Sequence, residues 1–194
     1  MAKSPKSMKD DQDNKPVLVF DLDNTLIYSS PLPVGSYHFC ILVERRRLYV
    51  KIRPWVLEFF DRISDLYDIY FFTSSNKSYA RPIIKKIAPF VADEKCFFRD
   101  SCIADYGYYL KDITKIKTPI NQTVLIDDTF GSGVLNPKNI VCVPFWDGSC
   151  EDNVFEQELY PILIECSKET NFIDSLMNKI SSKSKKLQIS IRKN

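Results

Sequence analysis

The chain has 194 residues, of which 44% are hydrophobic and 27% charged, and its formal net charge is +2. This length suits one α/β domain, and thirteen Phe and ten Tyr residues exclude disorder for the bulk of the chain. Because no apolar run approaches the roughly 18 residues that span a bilayer, and no signal pattern opens the chain, we expect a protein of the nucleus or cytoplasm without a membrane segment.

The two ends of the chain differ in composition from its middle. Residues 1–15 carry little apolar surface, which predicts a flexible N-terminal tail. Residues 181–194 are rich in Lys and Ser and are predicted to form a basic C-terminal tail. Within that tail Leu187, Ile189 and Ile191 alternate with other residues, as side chains do along a strand.

The middle of the chain, residues 16–180, is predicted to form a single folded domain. Short, continuous apolar runs alternate there with helical patterns. The predicted strands are 17–20, 68–72, 124–126 and 140–143, and the predicted helices are 54–67, 76–88, 155–166 and 172–180. Strands of this kind are typical of a parallel sheet that is buried on both faces. The pattern therefore predicts an α/β fold with a doubly wound, mostly parallel sheet.

Residues 37–52 interrupt this alternation. Two β-rich runs, 39–43 and 48–50, are joined by the charged sequence Glu44-Arg45-Arg46-Arg47. We therefore predict a small β-hairpin, inserted after the first strand and standing beside the groups that follow that strand.

Acidic and hydroxyl residues come directly after three of the predicted strands. Asp21 and Asp23 follow the first strand, Thr73 follows the second, and Asp127 and Asp128 follow the third. Ligands of an open parallel sheet bind beyond the carboxyl ends of its strands, so these side chains are expected to meet. Several carboxylates buried at one place require a cation. The sequence therefore predicts a cation-dependent site at this edge.

Other kinds of site fit the sequence poorly. An EF-hand loop that began at Asp21 would need Gly and Glu where Leu26 and Leu32 stand. The six cysteines have no C-x-x-C spacing and His38 is the only histidine, which argues against a zinc site and leaves Ser-His or Cys-His catalysis without a base. We interpret the cysteines as small buried residues in a reducing compartment.

The sequence Asp21-Leu22-Asp23-Asn24-Thr25-Leu26 resembles the D-x-D-x-T-(L/V) signature of the aspartate-based phosphatases in the haloacid-dehalogenase (HAD) superfamily. The further matching segments are Arg53-Pro54, Phe71-Phe72-Thr73-Ser74-Ser75 with Tyr79, Phe98-Arg99-Asp100-Ser101-Cys102, Tyr109-Leu110-Lys111-Asp112 and Leu125-Ile126-Asp127-Asp128. In this order and spacing they resemble the phosphatases of the RNA polymerase II C-terminal domain, including the small NLI-interacting-factor type, over residues 16–170.

The resemblance implies a covalent mechanism with Mg²⁺ as the cofactor. Asp21 would be the nucleophile that accepts the phosphoryl group, and Asp23 would be the general acid and then the base that activates water. The metal ligands would be Asp21, the Asp23 main-chain carbonyl, Asp127 and Asp128. The expected function is that of a protein serine/threonine phosphatase that forms a phospho-aspartate.

The same resemblance assigns the groups around the phosphate. Thr73 and the main-chain N–H groups near Ser74 would bind phosphate oxygens at the start of a helix, where the helix dipole favours an anion. Lys111 would neutralise the developing charge and restrain Asp21.

The positions on the substrate side match less closely. Thr25, which would orient the loop, and Tyr79 and Arg99, which would face the peptide, keep the pattern of the family. Pro31 and Asn76 stand where relatives build an apolar slot for a substrate proline. We therefore expect only a weak preference for Ser-Pro sites.

The expected partner is a phosphorylated protein or peptide, and the RNA polymerase II C-terminal domain is one candidate. Arg45, Arg46 and Arg47, placed beside the phosphate site, would favour acidic phosphopeptides because guanidinium groups pair with carboxylate and phosphate. Direct binding of nucleic acid or membrane is not expected, and the sequence predicts no oligomeric state.

Two alternatives stay open. A non-catalytic binding module could use the same fold, although such a module would tolerate loss of the acidic residues that are all present here. A small-molecule phosphatase or phosphotransferase of the same superfamily would ordinarily carry a larger cap over its site than a hairpin.

Overall fold

A computed structural model of the chain describes residues 15–33, 35–149 and 151–189. Residues 1–14 and 190–194, which belong to the predicted tails, lie outside the described residues. In chain order, the strands are β1 (Val17–Phe20), β2 (Ile27–Ser30), β3 (Phe39–Val43), β4 (Arg46–Ile52), β5 (Asp68–Phe72), β6 (Cys96–Phe97), β7 (Ile103–Asp105), β8 (Tyr108–Leu110), β9 (Thr123–Asp127), β10 (Ile140–Cys142) and β11 (Gln188–Ile189). The helices are α1 (Val56–Ile63), α2 (Lys77–Ile87), α3 (Tyr160–Cys166), which continues a π-helical segment Val154–Leu159, and α4 (Phe172–Lys183).

The central sheet has six strands in the order β11-β10-β9-β1-β5-β6. β1 lies in the middle and pairs in parallel with β5 and β9, so that Phe20 is level with Phe71 and Ile126. Only β11 runs antiparallel to its neighbour, β10. The predicted α/β fold with a mostly parallel sheet is thus confirmed, and the strand ends that should carry the site lie side by side.

Aromatic side chains form the centre of the main core. Phe20 of β1 meets Phe60 of α1 edge to face, with ring centroids 5.3 Å apart, and Phe59 packs against Phe155 at 5.0 Å. The buried positions of α1 are Val56, Phe59, Phe60 and Ile63. This spacing places one apolar face of the helix on the sheet, as the sequence pattern predicts. The end of β1, which Asp21 follows, therefore rests on a densely packed support.

The insertion after β1 is larger than the predicted hairpin. β3 and β4 form that hairpin, and β2 joins β4 to give an antiparallel sheet in the order β2-β4-β3. The turn residues Glu44 and Arg45 have φ angles of 48° and 65°, and Val43 pairs with Arg46. This is the geometry of a two-residue hairpin turn, in which both residues adopt positive φ.

A second hairpin, β7–β8, is absent from the sequence prediction. Its turn contains Tyr106 and Gly107, whose φ angles are 42° and 85°. The strands have three residues each and are mostly exposed, so they lack the alternation that marks a half-buried strand.

The described structure continues past the predicted boundary at residue 181, which corrects the expected start of the C-terminal tail. α4 extends to Lys183, and Ile189 of β11 pairs with Val141 of β10. Leu187 is only 6% exposed because it packs into the main core. Within the described residues, none of the helices has the length and apolar character that crossing a bilayer requires.

Candidate active site

Three carboxylates meet at the carboxyl edge of the central sheet. Asp21 directly follows β1, and Asp127 ends the adjacent strand β9. The main-chain N–H of Asp21 donates to the carbonyl of Ile126 at 2.9 Å, which extends the strand pairing by one residue. Asp21, Asp127 and Asp128 each offer an oxygen, and these oxygens lie within 4.8 Å of one another. Such a set of oxygens is suited to a hard divalent cation.

Lys111 lies between two of these acids. Its Nζ donates to Asp21 Oδ1 and to Asp127 Oδ2, the latter at 2.6 Å. All three residues are almost fully buried. The Lys111 main-chain N–H donates to the Ser132 carbonyl at 2.7 Å, which holds the lysine at this position. When both buried carboxylates are ionised, one ammonium group balances only one of them, and a cation would neutralise the other.

Burial and the neighbouring charges shift the pKa values of Asp21 and Lys111. Burial raises the pKa of Asp21 to about 8, and the charge of Lys111 opposes that rise. Burial alone would lower the pKa of Lys111, but the charges of Asp127 and Asp21 outweigh it and the net shift is upward. A bound divalent cation would favour the ionised form of the carboxylates.

Thr25 connects the loop after β1 to the loop after β9. Its Oγ1 donates to Asp128 Oδ1 at 3.1 Å and accepts from the Asp128 main-chain N–H at 3.0 Å. Burial, followed by the charge of Asp127, raises the pKa of Asp128. Thr25 has no exposed surface, and these two hydrogen bonds orient the loop after β9.

Asp23 lies beside this cluster and has a different set of partners. Ser75 Oγ donates to Asp23 Oδ2 at 2.7 Å, and the hydroxyl of Tyr79 donates to Asp23 Oδ1. The Tyr79 hydroxyl also lies 2.8 Å from Ser29 Oγ. Burial raises the pKa of Asp23, and the hydroxyl groups of Tyr79 and Ser75 oppose that rise. Tyr79, which was expected to face the peptide, is therefore turned toward an acid of the site.

The predicted phosphate-binding residues follow β5. Thr73 is buried, and its Oγ1 accepts from the Ser75 main-chain N–H at 3.1 Å. Ser74 lines the cavity above the acids. Arg99 donates from Nε to the Ser74 carbonyl at 2.6 Å, and its guanidinium carbon lies 5.0 Å from the centroid of the Tyr109 ring. Of these residues only Ser74 lines the cavity, and Thr73 and Arg99 contact the segment that carries it.

The cavity has a volume of about 370 Å³ and is open to solvent. Of the residues that line it, the sequence predicted the acids, Ser74 and Lys111, but did not predict Gly107, Tyr108, Tyr109 or Phe145. Phe145 is 63% exposed and Tyr108 is 70% exposed. A Gly between tyrosines was the available signal for the hairpin turn that brings Tyr108 and Tyr109 to the cavity.

Arg53 is hydrogen-bonded to the loop after β1. Its guanidinium donates to the Thr25 carbonyl at 2.9 Å and to both carboxylate oxygens of Asp152 at 3.0 and 2.8 Å. The side chain is completely buried, so this bidentate pair ties the loop to the segment before α3. Arg53 therefore acts through the backbone of the loop and does not line the cavity described above.

The remaining residues of the sequence prediction lie outside the cavity. His38 Nδ1 accepts from the Ile52 main-chain N–H at 3.0 Å. Pro31 and Asn76 are both exposed. Among the described cysteines, Cys142 and Cys166 are buried as expected, whereas Cys40 is exposed, which differs from our interpretation.

Comparison with known proteins places the chain in a family. The model of the NLI interacting factor-like phosphatase family matches residues 16–173. The human carboxy-terminal domain RNA polymerase II polypeptide A small phosphatase 1 is 34% identical over 163 residues, which cover 82% of this chain and 60% of that protein. Human small phosphatase 2 is 30% identical over 176 residues, which cover 89% and 64% of the two chains. The match thus spans less than two thirds of either relative.

A solved structure of Fcp1, an essential RNA polymerase II CTD phosphatase, superimposes with a TM-score of 0.59 at 21% identity, covering 88% of this chain and 51% of that chain. At this identity the likeness shows the fold alone, in agreement with the α/β fold that the sequence predicts. Because the family model matches most of the chain, and the carboxylates and Lys111 meet at one sheet edge, the chain belongs to the NLI interacting factor-like phosphatase family.

Proposed function

We propose that the chain is a Mg²⁺-dependent phosphoprotein phosphatase that transfers the phosphoryl group of phosphoserine or phosphothreonine to Asp21. One observation carries the proposal. Asp21 is bound by Lys111 and lies within 4.8 Å of the Asp127 and Asp128 oxygens, at the floor of an open cavity. A binding module has no need for two carboxylates buried around one lysine, because that arrangement is costly without a cation.

The family implies a divalent metal, and the residues present fit one. Asp21, Asp127, Asp128 and the Asp23 main-chain carbonyl would hold it, and oxygen ligands together with an unbalanced negative charge favour Mg²⁺. When bound, the ion would supply positive charge against the phosphate oxygens.

The chain's own residues then account for both chemical steps. A carboxylate oxygen of Asp21 attacks phosphorus, the bond from phosphorus to the seryl or threonyl oxygen breaks, and Asp23 gives its proton to that oxygen. In the second step Asp23 takes a proton from water as the water attacks phosphorus, so phosphate leaves and Asp21 is restored. Thr73 Oγ1 accepts from Ser75, which leaves the Thr73 hydroxyl proton free to donate to a phosphate oxygen.

The surroundings of the cavity favour a polypeptide over a small molecule. The described insertion is a three-stranded sheet of short strands, and the cavity remains open beside Tyr108, Tyr109 and Phe145. Relatives are named as phosphatases of the RNA polymerase II C-terminal domain. We therefore propose that phosphorylated protein is the substrate, that this polymerase domain is the first candidate to test, and that the protein works in the nucleus or cytoplasm.

Hydrolysis of an aryl phosphate tests the proposal. The reaction should require Mg²⁺, stop when EDTA is added, and be inhibited by beryllium fluoride, which occupies the phospho-aspartate position. Asp21→Asn should lower kcat by on the order of 10³-fold or more because the nucleophile is lost. Asp65→Asn, at an exposed aspartate outside the site, is the matched control and should keep normal turnover. Near-normal turnover in Asp21→Asn would rule out the covalent mechanism.

A further inference from the structure

Both oxygens of the Asp23 carboxylate accept hydrogen bonds from hydroxyl groups. Ser75 Oγ donates to Oδ2 at 2.7 Å, and Tyr79 donates to Oδ1. Tyr79 in turn lies 2.8 Å from Ser29 Oγ. The proposed mechanism needs Asp23 to hold a proton in front of the leaving oxygen, so the residues that orient this carboxylate bear on the rate.

The donors and acceptors in this chain of hydroxyl groups have one consistent order. A tyrosine hydroxyl has one proton, and an Oδ1 that carries no proton can only accept, whether or not Oδ2 is protonated. The hydroxyl of Tyr79 therefore donates its only hydrogen bond to Asp23. Ser29 must then donate a hydrogen bond to the Tyr79 oxygen. The order of donation is Ser29 to Tyr79 to Asp23.

Two elements of regular structure hold the residues that carry the Ser29 and Tyr79 hydroxyl groups. Ser29 belongs to β2, where it pairs with Val50 of β4, and Tyr79 belongs to the first turn of α2, where its N–H donates to the Asn76 carbonyl at 3.0 Å. Ser75, in contrast, lies in the segment between β5 and α2, and its short side chain can rotate. Oδ1 of Asp23 is therefore bound by a side chain that regular structure supports, whereas Oδ2 is bound by a serine outside regular structure.

We propose that Tyr79, locked by Ser29, is a positioning residue that holds Oδ1 of Asp23 so that Oδ2 is presented to the leaving oxygen of the substrate. The proposal rests on the proposed function. The proton that reaches the leaving oxygen comes from Oδ2, and Tyr79 keeps its own proton throughout. Substrate binding displaces the Ser75 hydroxyl from Oδ2. In this proposal Tyr79 positions the general acid Asp23 and does not bind the peptide.

The dependence of kcat/KM on the leaving group tests the proposal. This parameter, measured on aryl phosphates of increasing leaving-group pKa, reports the steps up to phosphoryl transfer. Tyr79→Phe should change little with the best leaving group, which needs no proton. Its kcat/KM should fall by on the order of tenfold to a hundredfold with the poorest, because the acid is misplaced. Ser29→Ala should steepen the same dependence by a smaller factor.

Controls separate this role from a structural one. Tyr67→Phe removes another largely buried tyrosine hydroxyl, which donates to the Leu163 carbonyl at 2.6 Å far from the acids, and should leave the slope unchanged. An equal loss with every leaving group in Tyr79→Phe would show a structural role. A loss confined to KM for phosphopeptides would show a substrate contact, and either result overturns the proposal. Asp21→Asn, assayed in parallel, tests the proposed function itself, because its full activity would reject that function whatever Tyr79→Phe does.

Discussion

At the scale of single residues, Asp21 destabilises the protein when no metal is bound. Burial raises its pKa from an ordinary value of 3.8 to about 8, with Lys111 opposing the shift. Between these two pH values the folded protein binds more protons than the unfolded chain. The free energy of unfolding therefore falls as pH rises through this interval and is level above it. The same carboxylate that the proposed chemistry needs thus lowers the stability of the metal-free fold.

Replacing this carboxylate with a neutral group should stabilise the metal-free protein. In EDTA, Asp21→Asn should unfold at a higher temperature than the wild type, and the gap should open as pH rises from about 4 to about 8. Thermal unfolding monitored by circular dichroism measures this gap, with Asp65→Asn as the control. Saturating Mg²⁺ should raise the midpoint of the wild type more than that of Asp21→Asn. A gap that does not depend on pH, or a lower midpoint for Asp21→Asn, would contradict the account of Asp21.

At the scale of elements, the inserted sheet places the arginine turn far from the acids. Ile27 bridges to Asp23 and pairs with Ile52, and Arg46 stands six residues before Ile52 in β4. At about 3.4 Å per residue the turn is about 20 Å from that end of the sheet. This corrects the expectation that Arg45, Arg46 and Arg47 lie beside the phosphate site.

The arginine turn should therefore recognise residues several positions away from the phosphorylated one. Changing Arg45, Arg46 and Arg47 to alanine should lower kcat/KM by roughly tenfold at low salt for peptides with distant acidic residues, and the effect should fade as salt rises. Aryl phosphate hydrolysis should not change. The comparison uses matched peptides that carry acidic residues next to, or about six residues from, the phosphoserine. An equal loss for both peptides, or a strong preference for Ser-Pro that is insensitive to salt and to the triple variant, would show that this interpretation of the groove is wrong.

The C-terminal strand should contribute to stability and not to chemistry. Leu187 packs into the main core next to β11, so Leu187→Ala should lower the free energy of unfolding by about 2 kcal/mol or more while kcat stays normal. Lys185→Ala, at an exposed position two residues away, should leave both unchanged. Urea unfolding measures the difference. An unchanged urea midpoint in Leu187→Ala would show that this segment does not contribute to the folded core.

At the scale of the whole molecule, the sequence was most informative where the sheet is buried. β1, β5 and β9 each contain a continuous apolar run because both faces of the central strands are covered, and polar residues follow each run. The convergence of Asp21, Thr73 and Asp127 at one edge could be predicted for that reason. The role of Lys111 in the site was predicted from the family resemblance. The structure places Lys111 between two of the acids.

The parts that the sequence did not predict depend on tertiary contacts. β2 has the sequence Ile-Tyr-Ser-Ser and gains its place by pairing with β4. The alternation of Leu187 and Ile189 indicated a strand in the C-terminal segment, but not that this strand would pair with β10. Side-chain partners are also invisible in a sequence pattern. Thr25 bonds to Asp128, more than a hundred residues away, and Tyr79 bonds to Asp23, 56 residues away.

The central claim is that phosphate passes through Asp21, and trapping the intermediate tests it most directly. Asp23→Asn should still accept a phosphoryl group from an aryl phosphate in the presence of Mg²⁺, but should hydrolyse it slowly because the base is missing. Intact mass after an acid quench should show the addition of one phosphoryl group, and peptide mapping should place it on Asp21. It should be absent with EDTA and in the double variant of Asp21→Asn and Asp23→Asn. A phosphoryl group mapped to another residue, or steady phosphate release without a trapped species, would contradict the account.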